Sequence, residues 1–311
     1  MNAAHPGFWH WLADWPALAC YAVIAAAHLT GLARLRAAGG FSRERRQQAL
    51  AFQSGLLLAL LALVSPIGYL SEIYIWVRAL QFLLLAMVAT GLMVLGAPWQ
   101  PLRLAVRPDR SPTRSQPTPA GGPESARDRR VPGIEGSGTG SAWLFARPGV
   151  AIVVVNAVWL AWQLPGPFDA VRTSGLVALA CHLTCTLAGI VFWLQLIGSR
   201  PLSPVASPLR RLALIGGTAA ASTVLGMVLV FGSNVQYPAY AGPAHHLMTV
   251  LDDQQLSGAV LWMGFLPPLV FVAVALLMRW FSEEESAELS AGLDRLLTPR
   301  KDGWSARPGI R

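Results

Sequence analysis

The chain has 311 residues, of which 54% are hydrophobic and only 13% charged, where a soluble globular domain carries about 25% charged residues. That composition excludes an ordinary water-soluble enzyme. A net charge of +8 would suggest nucleic acid in a soluble protein, but here the charges are confined to narrow segments, so the excess reports membrane topology and no nucleic-acid partner is expected.

Charge-free stretches run from Trp15 to Ala33, Gln47 to Ser71, Ala79 to Leu102, Pro148 to Phe168, Thr173 to Ser199, Leu212 to Leu251 and Gln254 to Met278. A bilayer core about 30 Å thick needs about 20 apolar residues of helix at 1.5 Å each, so every stretch predicts one span. The longest does not hold two, because Ser233 to His246 (SNVQYPAYAGPAHH) is polar and rich in Pro and Gly, as a connecting loop is. The expected fold is all-α: a polytopic integral membrane protein with seven transmembrane helices. Under this arrangement all Lys and Arg except Arg78 and Arg172 fall on one side, which predicts N-out, C-in by the positive-inside rule. Met1 to Asp14 has no basic n-region and no small-residue cleavage site, so the first helix is expected to be retained.

Four segments result. Residues 1–100 hold the first three helices; 101–147 form an Arg-, Pro- and Gly-rich inner linker without apolar periodicity, expected to be disordered. Residues 148–281 hold helices four to seven. The tail, 282–311, places Leu289, Leu293, Leu296 and Leu297 at helical spacing after Glu283, Glu284 and Glu285, which predicts a short amphipathic helix at the inner surface.

Several polar residues stand where a bilayer makes them costly. Arg78 is at the outer end of the third helix, where it can snorkel or pair with Glu72; Gln81, one turn deeper, is expected to bond another helix. The fifth helix carries Cys181, His182 and Cys185 near mid-membrane, and Cys185 can share a face with either of the others. In the last helix Asp252 and Asp253 precede Gln254 and Gln255 at the positive end of the dipole, and capping accounts for one carboxylate. Pro267 and Pro268 then predict a broken ladder, with carbonyls near Met263 and Gly264 left to line a cavity. The outer side gathers Asp14, Glu72, Asp169 and the Asp pair, with His5, His10, His245, His246 and Met248; imidazole, thioether and thiolate are ligands that suit copper. The alternative for each is interfacial anchoring or packing. The three cysteines all fall within spans and give no disulfide framework.

The run from Tyr237 to Glu285 resembles the C-terminal end of the CtaG family of multi-span cytochrome c oxidase assembly factors, above all in D-Q-Q-L-x-G-x-x-x-W at Asp253, Gln254, Gln255, Leu256, Gly258 and Trp262. Ser65-Pro66, Gln81, LGAP at Leu95 to Pro98, WQLP at Trp162 to Pro165 and the Leu187 to Trp193 stretch agree in order. The resemblance implies a bacterial cell (inner) membrane protein that is not an enzyme and that supports oxidase maturation. It departs at the family's histidines. H-M-x-Q-H is here Arg78, Ala79, Leu80, Gln81, Phe82; a histidine pair four apart keeps only His182, with Ala178 in place of the first; W-H-L-P has Gln163. An intact copper site is therefore not carried over, and Cys181, Cys185, His245 and His246 remain as substitutes beside His182.

Three functions compete. The first is an assembly factor that passes copper to an oxidase subunit from the outer face. The second is a metal-free membrane scaffold that binds an oxidase subunit or another assembly protein. The third, weakest, is a b-type cytochrome with His28 and His182 as axial ligands. The topology is directly testable: a reporter fused after Arg311 should be cytoplasmic and one inserted near Gly242 external, and finding both on one side would contradict the seven-span arrangement.

Overall fold

The computed structural model describes residues 15–39, 42–106, 148–199, 206–242 and 247–297. Its helices are α1 (Trp15–Ala37), α2 (Arg43–Val64), α3 (Pro66–Leu70), α4 (Ile75–Leu95), α5 (Trp99–Val106), α6 (Pro148–Ala161), α7 (Pro165–Thr173), α8 (Gly175–Leu196), α9 (Pro208–Phe231) and α10 (Val250–Leu297), with a 3-10 turn at Pro238–Tyr240. No strand occurs among the described residues, so the all-α membrane fold stands. Six helices, α1, α2, α4, α8, α9 and α10, are long and apolar enough to cross a bilayer. The fourth predicted span differs from the expected single rod. It is the pair α6 and α7, bent by 64°, and counting that pair as one span gives seven. The bend has a local cause: Leu164 precedes Pro165 and is forced into an extended conformation (φ −68°, ψ 144°).

α4 is the hub. In its apolar stretch 78% of residues are buried, against 17–28% in the other long helices, which show Leu176, Leu187, Val228 and Phe271 outward as a lipid-facing surface. The middle of α4, Leu84–Ala89, is a π-helical turn, a form that leaves carbonyls free for other donors. Those carbonyls are taken: the Trp193 indole N–H donates to Met87 O at 2.8 Å and Thr90 Oγ1 to Ala86 O at 2.8 Å. α8 approaches this turn so closely that a Cβ on Gly189 would stand 2.2 Å from Ala86 O.

α10 runs 48 residues without a break, about 72 Å of helix, and this corrects two expectations. Pro267 and Pro268 do not open a cavity: Met263 is exposed, and Gly264 receives the Leu83 side chain. Nor is the tail helix separate. From Leu276 to Glu288 the sequence has no Gly or Pro, and Arg279 pairs with Glu283 at i,i+4 (3.9 Å), so the last span continues to Leu297. The inner linker also begins later than expected, because 101–106 belong to α5, whose last carbonyls, Leu104 O and Ala105 O, accept from the Arg34 guanidinium. The rest of the linker, 107–147, lies outside the described residues.

α9 and α10 cross through two glycines. A Cβ on Gly226 would stand 2.7 Å from the Trp262 Cβ and 2.8 Å from Gly258 O. Gly226→Val is therefore expected to cost about 1–3 kcal/mol by overpacking, read as a lower unfolding temperature in detergent, whereas Gly216→Ala, where a Cβ meets nothing within 4 Å, should not lower it.

Candidate functional site

One end of the bundle, the loop end, is built from the α3 to α4 connection, α7 and the loop before α10, and the opposite end carries the arginines of 34–46. At the loop end the first N–H groups of α4 have no intrahelical acceptor, and Tyr74 at the N-cap supplies none. Asp253 supplies it from α10. Its Oδ2 accepts from Ile75 N at 2.7 Å and its Oδ1 from Trp76 N at 2.8 Å, and the side chain is wholly buried. The sequence left one carboxylate of the pair beyond what capping of its own helix accounts for, and Asp253 is that one, so the pair does not jointly serve the α10 dipole. Asp252 alone does so, exchanging bonds with Thr249 (Thr249 Oγ1 to Oδ2 at 2.7 Å, Asp252 N to Thr249 Oγ1 at 3.1 Å). Gln254, equally buried, ties down the preceding loop by donating to Asn234 O (3.1 Å) and accepting from Gln236 N (2.6 Å). Gln255 is only half-buried.

One turn into α4, Arg78 is buried rather than snorkelling, and no ion pair with Glu72 forms. Its Nε donates to Ser71 O at 3.2 Å, and its guanidinium carbon lies 5.7 Å from the Phe168 ring centroid and 5.9 Å from that of Tyr240. The loop's two tyrosines close over it. Tyr237 stacks on Phe168 (4.1 Å) and donates to Gln163 O at 2.8 Å, satisfying a carbonyl at the α6 to α7 bend; Tyr240 donates to Ser71 O at 3.3 Å. Burial pushes the Tyr240 phenol up to about 12, against the pull of the neighbouring Arg78, so the hydroxyl remains a donor throughout the physiological range. Asp169 lies in the field of Arg172 and Arg78. Sequence reasoning passed over Phe168, Tyr237 and Tyr240; the two tyrosines bracketing Pro238 in an otherwise polar loop were the available signal.

Beneath this lid a cavity of about 30 Å³ is lined by Arg78, Gln81, Phe82, Gln163, His182 and the cysteines, among others, room for one or two waters. Gln81 does bond another helix, donating to Ala62 O at 2.9 Å. Cys181 and Cys185 meet with sulfurs 4.0 Å apart, both free thiols. His182 lines the same cavity but sits about 100° around the helix from Cys181, so three donors do not converge; among the described residues no group of three or more His, Cys, Asp or Glu is placed to hold a metal ion. His245 and His246, like His5 and His10, lie outside the described residues. The axial pair of the cytochrome reading is not assembled either. His28 is buried against Phe52 (4.4 Å) with Nδ1 3.1 Å from Gln53 Nε2, in the α1 and α2 seam, whereas His182 belongs to the cavity of α4, α7 and α8.

Residues 26–283 match the family model described as cytochrome c oxidase caa3 assembly factor (Caa3_CtaG). The chain belongs to this family. Neither the curated proteins nor the solved structures yielded a match. In the Caa3_CtaG frame the departures noted in the sequence acquire a location. Of the four positions where the resemblance places histidine and this chain has another residue, Arg78, Phe82 and Gln163 all line the cavity that also holds His182; Ala178 is one turn from His182 on α8. Imidazoles at these places would face one another, and here a guanidinium, a phenyl ring and an amide do.

The buried cap is the site's foundation, and its removal is measurable. Asp253→Ala leaves two buried N–H donors without an acceptor and is expected to cost about 3 kcal/mol; Asp252→Ala, at an exposed cap, should cost about 1 kcal/mol or less. Thermal unfolding in detergent followed by near-UV circular dichroism separates the two.

Proposed function

We propose that this member of the caa3 oxidase assembly factor family acts as a metal-free scaffold in the bacterial cell membrane. It holds an oxidase subunit, or another assembly protein, at the loop end during maturation, and it turns over no substrate. The observation that carries this reading is Arg78. A guanidinium keeps its charge at every relevant pH, and inside a small, poorly hydrated cavity a fixed cation opposes a second one. Three of the cavity's positions where the resemblance implies histidine carry no imidazole in this chain, as expected where metal handling has been given up. A pre-formed loop end, closed by Tyr237, Tyr240 and Gln254, suits a docking surface that must not refold on each encounter.

Copper delivery is the second reading, and one observation favours it: the Cys181 and Cys185 sulfurs, 4.0 Å apart on the cavity wall, offer two soft donors to Cu(I), with Arg78 able to offset thiolate charge. Copper stoichiometry of the purified protein decides between them. The scaffold reading expects wild type to retain no more Cu(I) than the triple variant Cys181→Ala, His182→Ala, Cys185→Ala, and expects that variant to restore oxidase assembly in a deletion strain. One copper per chain, lost in the triple variant and kept in the His245→Ala, His246→Ala pair, would overturn it in favour of delivery through the thiols.

A further inference from the structure

A second cavity, larger than the one beside the cysteines, lies at the opposite end of the bundle among the described residues, between the first turns of α2 and α5. Its volume is about 470 Å³, and Ser42, Glu44, Arg45, Gln48, Gln100 and Arg103 line it together with Ala97. Both walls are fixed. α5 is held at its start by the Trp99 indole donating to Ser199 Oγ at 2.7 Å and at its end by Arg34 on the carbonyls of Leu104 and Ala105. The turn that swings α5 back beside α2 passes through Ala97 at φ +42°, a left-handed conformation costly for a residue with a Cβ. α2 is capped by Ser42, whose Oγ accepts from Arg45 N at 3.2 Å.

The lining has a distinct chemistry. Arg45 and Arg103 have no acidic partner among the described residues, whereas Glu44 is engaged by Gln48 (Nε2 to Oε1, 3.3 Å). Formal charge over the described lining residues is +1, and they add two carboxamides and a hydroxyl to the guanidiniums. The depth is equally specific. In α2 the residues Arg43 to Gln48 are polar and the apolar span starts at Ala49, so the cavity opens where the phosphates of the adjoining leaflet lie. A guanidinium pair binds phosphate oxygens with matched geometry, and basic recesses between spans are recognised headgroup sites. The volume, within the range of ligand pockets, far exceeds that of a phosphate ion.

We propose that this recess binds the headgroup of a singly anionic glycerophospholipid, its phosphodiester between Arg45 and Arg103 and its glycerol hydroxyls on Gln48 and Gln100. The site is independent of the cysteine cavity and of the scaffold reading.

Native mass spectrometry of the full chain in detergent, titrated with phosphatidylglycerol or phosphatidylcholine, tests it. Wild type should retain phosphatidylglycerol in preference to phosphatidylcholine. Each arginine near a bilayer surface contributes about fivefold, so Arg45→Ala, Arg103→Ala should lose about 30-fold in affinity. Arg43→Ala, Arg46→Ala removes the same total charge from the first turn of α2, at positions outside the recess lining, and should lose far less. Equal losses in the two pairs would reduce the effect to general surface attraction and overturn the site, as would equal retention of the two lipids. Displacement of the lipid by millimolar inorganic phosphate would make the ligand free phosphate and overturn the lipid assignment. Gln100→Glu, at an exposed position, adds a charge in the recess without removing a packing group. It should weaken phosphatidylglycerol retention in a chain that remains folded, and unchanged retention would count against the proposal.

Discussion

A single carboxylate joins the last helix to the central one. Asp253 takes the two leading N–H groups of α4 across a sequence separation of 177 and 178 residues, and because it is fully buried it has no competing water. A helix start left bare in such surroundings would lose its donors' hydration with nothing in return. The bond therefore fixes where α4 begins, and with it the height of Arg78 and Gln81, one and two turns along. Gln254 is the next residue of α10, so whatever seats Asp253 also seats the anchor of the 234–236 loop segment. Lid and cavity wall thus share one register. The D-Q-Q-L-x-G-x-x-x-W run is legible as a mechanical device: a cap for a neighbour, a loop pin, a glycine crossing against Gly226, and the Trp262 packed on it.

The sequence made the spans legible because a bilayer enforces a simple rule, that charge is excluded over about 20 residues. Trp15 to Ala33 and Gln254 to Met278 needed no further information. What composition could not disclose is pairing between distant segments. Asp253 in sequence looks like any acidic first-turn residue, and only the arrival of α4 beside it reveals the other use. Arg78 shows the same limit: its sequence neighbour Glu72 is acidic but exposed, and the seat of Arg78 is made of Ser71, Phe168 and Tyr240 from three separate segments. The π turn at Leu84–Ala89 has no sequence marker of its own; Trp193, from another helix, compensates it.

At the cysteine cavity, periodicity narrowed the choice and geometry completed it. Cys185 could have faced Cys181 or His182, since i−4 and i−3 neighbours are nearly equivalent on a helix. It faces Cys181. Whether two thiols bind a metal depends less on their own spacing than on the charge opposite them, and Arg78 stands at a place where the family resemblance implies imidazole. A neutral, titratable ring there admits a cation; a fixed guanidinium admits an anion, a thiolate or the face of an aromatic ring.

The two ends of the bundle consequently treat arginine in opposite ways. At the loop end Arg78 is enclosed, its charge answered by aromatic faces and a carbonyl, and it serves to lock three segments together. At the other end Arg45 and Arg103 line an open recess whose walls are held by different residues, Trp99, Ser199 and Arg34, so their own guanidiniums are not consumed in holding the structure. A charge that is structurally spent cannot also recruit a ligand without loosening the fold, whereas one displayed on a rigid frame can. The enclosed arginine is accordingly the natural determinant of what the interior excludes, and the displayed pair of what the membrane surface supplies.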